Sequence, residues 1–388
     1  MKPWIAAAIA LGVAVRLAAS FAIPLATSEA SSCAPDEAMH LQTAAGLRLW
    51  DTAERRPGEP IYSVFPPPPY LAHWLALRMG LNARLGSLFW AALTLLALCA
   101  TASHWTKSPQ TIALAVSIAA LYPQFAFAGS YVNGDAATIA AGALLGAALS
   151  RWASRGEGDE GLWLVGLSLG LVLVMKPNGW FSILPTCGWV VWADLRRRIS
   201  RLALGKAAGG CAAIALPVLA WNAHRMNGDA FGLRHYAHFM ATEWAGAPGS
   251  RTPHALQRMA KDLFLSSIGD FRNMNLPLPV LLVGATWLFL LAGGWLALRK
   301  TRAAARRAGL WLATCLAVNL SMVIYECWFV DFQPQGRYLL PALLWLCLAA
   351  ILVPFEGRKR VVWRAGCFAV LAAGCAGMLL LLFRHPCV

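Results

Sequence analysis

Charge is what this sequence has least of: Asp, Glu, Lys and Arg make up 13% of its 388 residues, against 59% hydrophobic. That balance argues against an ordinary soluble domain, whose charged share is about 25%. The sequence also lacks the marks of several site chemistries. It has no C-x-x-C pair to suggest zinc and no H-E-x-x-H to suggest a metalloprotease. No internal repeat, low-complexity tail or separate soluble tract stands out. The ten cysteines do not read as a disulfide framework. Cys99, Cys211, Cys315, Cys347 and Cys375 fall inside apolar runs, as small core residues do. Cys33, Cys327 and Cys387 approach the oxidising side, where one bridge is open to them.

What the chain has in plenty is apolar runs. A stretch of about 20 apolar residues crosses a bilayer. Roughly eleven candidates occur, near 3–24, 84–105, 110–128, 135–151, 162–176, 179–194, 203–222, 278–298, 309–329, 338–355 and 362–383. Open strands cannot satisfy their backbone in lipid, so the expected fold is all-α, a polytopic helical membrane protein of about 11 transmembrane helices. Lys2 before the first run gives it the outline of a signal peptide. Its length and the interruption at Arg16 favour an uncleaved helix instead.

The net charge of +15 lies in loops rather than in a nucleic-acid-binding face. "DLRRRISR" (194–201), "LRKTRAAARR" (298–307) and "EGRKR" (356–360) all fall on one side if the spans alternate. By the positive-inside rule that side is cytoplasmic, with the N-terminus in and the C-terminus out. Two long segments, 25–83 and 223–277, then lie on the external side, and the whole chain, 1–388, reads as a single transmembrane domain. The first should carry a surface helix over 36–50, packed through Leu41, Ala45 and Leu49, and a second over 70–80. The second, rich in His and Arg, reads as a lid, an acceptor platform or a plain connector.

Alternation also sorts the polar motifs. "PDEAMH" (35–40), "YVNGDA" (131–136), "KPNG" (176–179) and "FQPQGRYLLP" (332–341) come from four different junctions, yet all four fall at the outer face. Each has a plain alternative. Asp36 and Glu37 could serve as terminal acids of a helix, and Asp135 as a cap. Arg337 and Lys176 could snorkel to lipid headgroups.

Together, "PDE-x-x-H", "Y-V-N-G-D" and "Q-G-R-Y-L-L-P" resemble bacterial GT-C-type glycosyltransferases that carry PDE-x-A-H and QGRY motifs. More distantly they are similar to protein O-mannosyltransferases and aminoarabinose transferases. The resemblance implies inverting transfer of a sugar from a polyprenyl-phosphate donor, of the undecaprenyl-phosphate type, to an acceptor hydroxyl. The acceptor would be a glycan, a lipid or a protein, and the site would face the periplasm from a bacterial inner membrane. Asp36 would be the general base, with Glu37 positioning it or the donor sugar. Arg337 would clamp the donor phosphate, with Lys176 and Arg16 as further candidates. His40, Asn133, Asp135, Gln335, Tyr338 and Tyr70 would bind substrate, and Asn133 with Asp135 could instead hold the turn. A divalent cation, Mg or Mn, on Asp36 and Asp135 stays open. So do two other readings, an O-antigen ligase or polymerase and a lipid or sugar transporter. Transporters commonly show ionisable groups near the midplane and repeated halves, which are not evident here.

Overall fold

The computed structural model describes residues 2–25, 34, 36–47, 60–243, 252–271, 275–300, 303–330, 334–353 and 355–385. In the first half of the chain, α1 (Pro3–Ala22) is followed by α2 (Glu37–Ala45), α3 (Pro68–Arg78), α4 (Arg84–Trp105), α5 (Pro109–Ala120), α6 (Pro123–Ala128), α7 (Asp135–Ser154) and α8 (Leu162–Leu173). The second half holds α9 (Ile183–Leu195), α10 (Arg201–Arg225), α11 (Leu233–Thr242), α12 (Pro253–Gly269), α13 (Val280–Lys300), α14 (Ala303–Tyr325), α15 (Leu340–Ile351) and α16 (Gly357–Arg384). Proline opens α1, α3, α5, α6 and α12, where its missing N–H costs nothing.

Among the described residues, seven helices are long and apolar enough to cross a membrane: α1, α4, α7, α10, α13, α14 and α16. The other expected runs are helical but shorter. α5, α8 and α15 have 12 residues each and α9 has 13. At 1.5 Å per residue such a helix reaches about 18–20 Å, short of a hydrocarbon core about 30 Å thick. Local breakers explain this. The run at 110–128 stops before Pro123 and resumes as α6, and the "KPNG" stretch winds into a 3-10 turn (Pro177–Ser182) ahead of α9.

One apolar core runs from Ile5 of α1 to Leu382 of α16. Its axis is α7, rich in alanine and glycine and buried along most of its length, so that α4, α8 and α15 pack closely around it. At one end of the bundle, Glu157 after α7 accepts from Arg198 in the loop after α9 at 2.7 Å and from Arg307 in the first turns of α14, joining two loops and a helix. Arg364 of α16 reaches Thr111 of α5 at that end too. The described residues of the four polar motifs lie at the opposite end.

There the expected surface helices appear as α2 and α3, with one correction. α2 buries Glu37, Ala38, His40, Thr43 and Ala44, while Ala45 of the expected stripe is exposed and Leu49 lies outside the described residues. Buried polar pairing, described below, sets its rotation in place of apolar periodicity. Among the described residues of the second long segment, 223–277, are α11, α12 and a small antiparallel hairpin pairing Asp270 with Pro277 and Phe271 with Leu276, a minor departure from an all-α chain. Cys327 is buried, whereas Cys33 and Cys387, its expected bridging candidates, lie outside the described residues.

Candidate active site

Asp36 sits at the N-cap of α2 with φ at 57°, a left-handed conformation that Asp tolerates better than most residues. A capping aspartate would turn back onto the helix N–H groups, but here no such bond forms. Its Oδ2 instead accepts from the Tyr62 hydroxyl at 3.1 Å and from Arg337 Nη2 at 3.3 Å. Burial, reinforced by the Asp36 charge, keeps the Tyr62 phenol well above its usual range, so it stays a neutral donor.

Glu37, one residue on, points the other way. Arg84 at the start of α4 grips it in a fork, Nε to Oε1 at 2.8 Å and Nη2 to Oε2 at 2.7 Å. The Val132 N–H adds a third bond at 2.9 Å. Arg84 also donates to the carbonyls of Ser20, Ile23 and Pro24 at the end of α1. One buried ion pair therefore ties α1, α2, α4 and the 131–136 turn together. Side-chain exposure separates the acids: Asp36 29%, Asp135 4%, Glu37 0%. Asp36 is the carboxylate that an incoming molecule meets.

The "YVNGDA" turn is built by Asn133. Its amide donates to the carbonyls of Ala128 and Tyr131, and its oxygen accepts the N–H groups of Asp135 and Ala136. With all four valences used on backbone, the side chain has no bond left for a sugar. Of the two roles expected of Asn133, the turn-holding one is what this geometry allows. A Cβ on Gly134 would sit 2.9 Å from Lys176 Cδ and 3.3 Å from the Tyr70 hydroxyl, so a larger residue there would push the Lys176 side chain from its place.

Asp135 is thereby aimed at two cations. Lys176 Nζ lies 2.9 Å from Oδ1, and Arg337 Nε lies 3.7 Å from Oδ2. Arg337 also donates to the Tyr131 hydroxyl at 3.1 Å and stacks over the Tyr338 ring. The glycine of "QGRY" lets its chain touch α12: a Cβ on Gly336 would lie 2.2 Å from Ser267 N. Gly336 N donates to Ser266 Oγ at 2.7 Å, locking the turn that presents Arg337. Gln335 begins that 3-10 turn, half-buried.

A ring of aromatics closes the floor. His40 stacks on Tyr62 with centroids 4.1 Å apart, and its Nδ1 is 2.7 Å from the Tyr70 hydroxyl. Lys176 Nζ also rests over the Tyr62 ring, 4.9 Å from its centroid. Burial, and then the Lys176 charge, hold the His40 imidazole well below its usual range.

The fold thus brings Asp36, Asp135, Arg337, Lys176, His40, Tyr70 and Tyr338 together, with Gln335 beside them. It does not bring Arg16, and that expectation is corrected. Arg16 is sealed in the bundle about 9 Å of helix below the end of α1, donating to the Gly12 and Ala120 carbonyls and lying over the Phe125 ring. Two residues went unrecognised in sequence. Tyr131 orients Arg337, and although it opens the "YVNGDA" motif it was given no role of its own. Arg84 had a readable signal, since a basic residue at the span end that the charge pattern assigns to the outside runs against the positive-inside bias. Asp36 and Asp135 are the two carboxylates expected to hold a divalent ion if one binds. Arg337 lies between the two carboxylates, and among the described residues no three His, Cys, Asp or Glu side chains gather to hold a metal.

No protein-family model matches the chain, and no curated protein matches it. Solved structures do. ArnT from Cupriavidus metallidurans bound to undecaprenyl phosphate superposes with a TM-score of 0.60 over 99% of this chain and 77% of its own, at 14% identity. Its apo state gives 0.60 at 13% identity over the same shares of the two chains. The archaeal oligosaccharyltransferase AglB from Archaeoglobus fulgidus, in complex with an inhibitory peptide and a dolichol-phosphate, gives 0.56 at 12% identity, over 99% of this chain and 56% of AglB.

Proposed function

Starting from a chain with the GT-C fold of polytopic membrane glycosyltransferases, we propose that the acidic end of this bundle moves a sugar from a polyprenyl-phosphate carrier to an acceptor hydroxyl. The reading rests on one observation: a solvent-reached carboxylate, Asp36, stands 3.3 Å from a buried guanidinium, Arg337. Transfer with inversion is a single displacement, needing a proton acceptor and a stabiliser for the departing phosphate. Asp36 takes the hydroxyl proton of the acceptor as its oxygen bonds to the anomeric carbon. The bond from that carbon to the phosphate oxygen breaks, and its electron pair leaves on the phosphate.

Arg337 receives the phosphate. Its Nε has no hydrogen-bond partner among the described residues, although it is buried. A guanidinium matches two phosphate oxygens in a fork, and to do so here Arg337 exchanges its loose 3.7 Å approach to Asp135 and its 3.3 Å contact with Asp36 for the phosphate. Lys176 supplies a second positive charge, and Asp135 holds both cations in place from below. Glu37 acts beneath them, through Arg84, by fixing the turn that carries Asp36. His40, Tyr70, Tyr338 and Gln335 stand around the acids, where sugar hydroxyls would meet them. A lipid phosphate as donor class is supported by the undecaprenyl phosphate in ArnT and the dolichol-phosphate in AglB. The basic loops at the far end support a cytoplasmic orientation for that end, with the site at the periplasmic face of an inner membrane.

The test is binding of undecaprenyl phosphate to the purified chain. Arg337→Lys keeps the charge and loses the fork, so retention of the lipid should fall by about tenfold or more at matched thermal stability. Equal retention by the two proteins would remove Arg337 from this role.

A further inference from the structure

The basic end of the bundle contains an opening of its own. A cavity of about 850 Å³ lies among α4, α7, α13, α14 and α15. Its floor is Trp345, set edge-on to Trp311 with centroids 6.0 Å apart. Leu149, Leu312 and Leu316 form its sides, and Leu291 and Trp295 of α13 line it while remaining exposed on the outer surface. The cavity is therefore apolar within and open sideways, on the face that a membrane would cover.

Its mouth is different. His104, Ser150 and Ser154 line it where α4 and α7 end. Lys107 comes two residues after Trp105, which lines the cavity at the end of α4, and Arg151 and Arg155 directly follow the lining residues Ser150 and Ser154 at the end of α7, which brings three cations to that mouth. The acids nearby are already engaged: Glu160 pairs with Arg155, and Glu157 with Arg198 and Arg307. No acid pairs with Arg151 or Lys107 among the described residues, and Arg151 Nε is buried without a hydrogen-bond partner.

We propose that this cavity binds an anionic glycerophospholipid of the leaflet at the basic end, with one acyl chain inside and the phosphate at the His104, Lys107 and Arg151 mouth. Size and charge both select that occupant. From Gly146 to Ser154 the cavity follows α7 for about 12 Å, within the roughly 15 Å depth of one leaflet's hydrocarbon. A volume of 850 Å³ is in the range of a small-molecule site, large enough for a chain and too shallow for a carrier that spans both leaflets. Gly146 is about 16 Å of helix away from Asp135, so this site is separate from the acidic cluster and independent of the transferase reading. An anionic headgroup answers the uncompensated cations, which a zwitterionic one does less well.

Native mass spectrometry of the full chain, offered phosphatidylglycerol or phosphatidylethanolamine with identical acyl chains, tests this. Phosphatidylglycerol should be retained about tenfold better, and the Lys107→Gln, Arg151→Gln double variant should lose that preference while still retaining lipid. Ala313→Trp fills the cavity from its exposed side and should reduce retention of both lipids. Leu316→Trp serves the same purpose if the first variant has lower thermal stability. Equal retention of the two lipids by the wild type would overturn the proposal, as would unchanged retention in a folded filled variant. Displacement of phosphatidylglycerol by millimolar inorganic phosphate would also overturn it, because the site would then be one for a free anion.

Discussion

Replacing Asp36 by Asn separates a carboxylate that does chemistry from one that merely ends a helix. The stability side can be bounded from the contacts. Asp36 makes no capping bond, Asn adopts the same left-handed conformation readily, and Asn can still accept from the Tyr62 hydroxyl. What is lost is the attraction to Arg337 across 3.3 Å at a position that water reaches. Arg337 keeps Asp135 and Tyr131 as partners, so the cost should be about 1 kcal/mol or less. That is a shift of a few degrees at most in Tm. The catalytic side is larger. General-base catalysis contributes about 10²–10⁴-fold, or about 3–5 kcal/mol of barrier. The assay is sugar transfer from a polyprenyl-phosphate donor by purified protein, with thermal unfolding measured on the same preparation. The expected outcome is transfer reduced at least a hundredfold with nearly unchanged Tm. Transfer within about threefold of wild type would refute the reasoning, because even the lower limit for a base could not be lost so cheaply.

Glu37→Gln should show the opposite profile, hitting folding hardest: the fully buried fork to Arg84 loses its charge, and breaking such a pair from one side costs about 3–5 kcal/mol. A Tm within about a degree of wild type would show that the carbonyls of Ser20, Ile23 and Pro24 suffice for Arg84. His40 predicts a pH dependence. Burial keeps it neutral in the folded protein, whereas the unfolded chain takes up a proton below about pH 6.5. Its stabilising neutral state is thus fully present above pH 6.5 and is eroded below, by up to about 1.4 kcal/mol per pH unit. His73, also lowered chiefly by burial, adds a slope of the same sign. His40→Asn should therefore flatten the fall in Tm between pH 6.5 and 5.5 without abolishing it, and identical falls in the two proteins would refute this.

Much of the molecule is legible in one dimension. Apolar runs of membrane length demand helices because lipid offers the backbone no partner, and the parity of basic loops sorts the junctions onto two ends. Those two rules were enough to place Asp36, Asp135, Lys176 and Arg337 at a common end, since each follows or precedes a span. The rules were weaker where helices are short. The runs at 162–176 and 179–194 have the hydropathy of spans, but turn chemistry at "KPNG" decides their length.

What the sequence by itself determined, then, is the solvent in which the chain folds, the helical class and the end at which its polar motifs gather, because hydropathy and charge act through counts and spacing. Only the tertiary structure decided which neighbour each polar group faces. Glu37 and Asp36 are adjacent in sequence, yet one turns inward to Arg84, 47 positions away, and the other outward to Arg337, 301 positions away. The same closure saturates Asn133 on backbone and buries Arg16 out of reach. Contacts of that range depend on how helices rotate and cross, and rotation is set by packing many side chains at once, which no local pattern records.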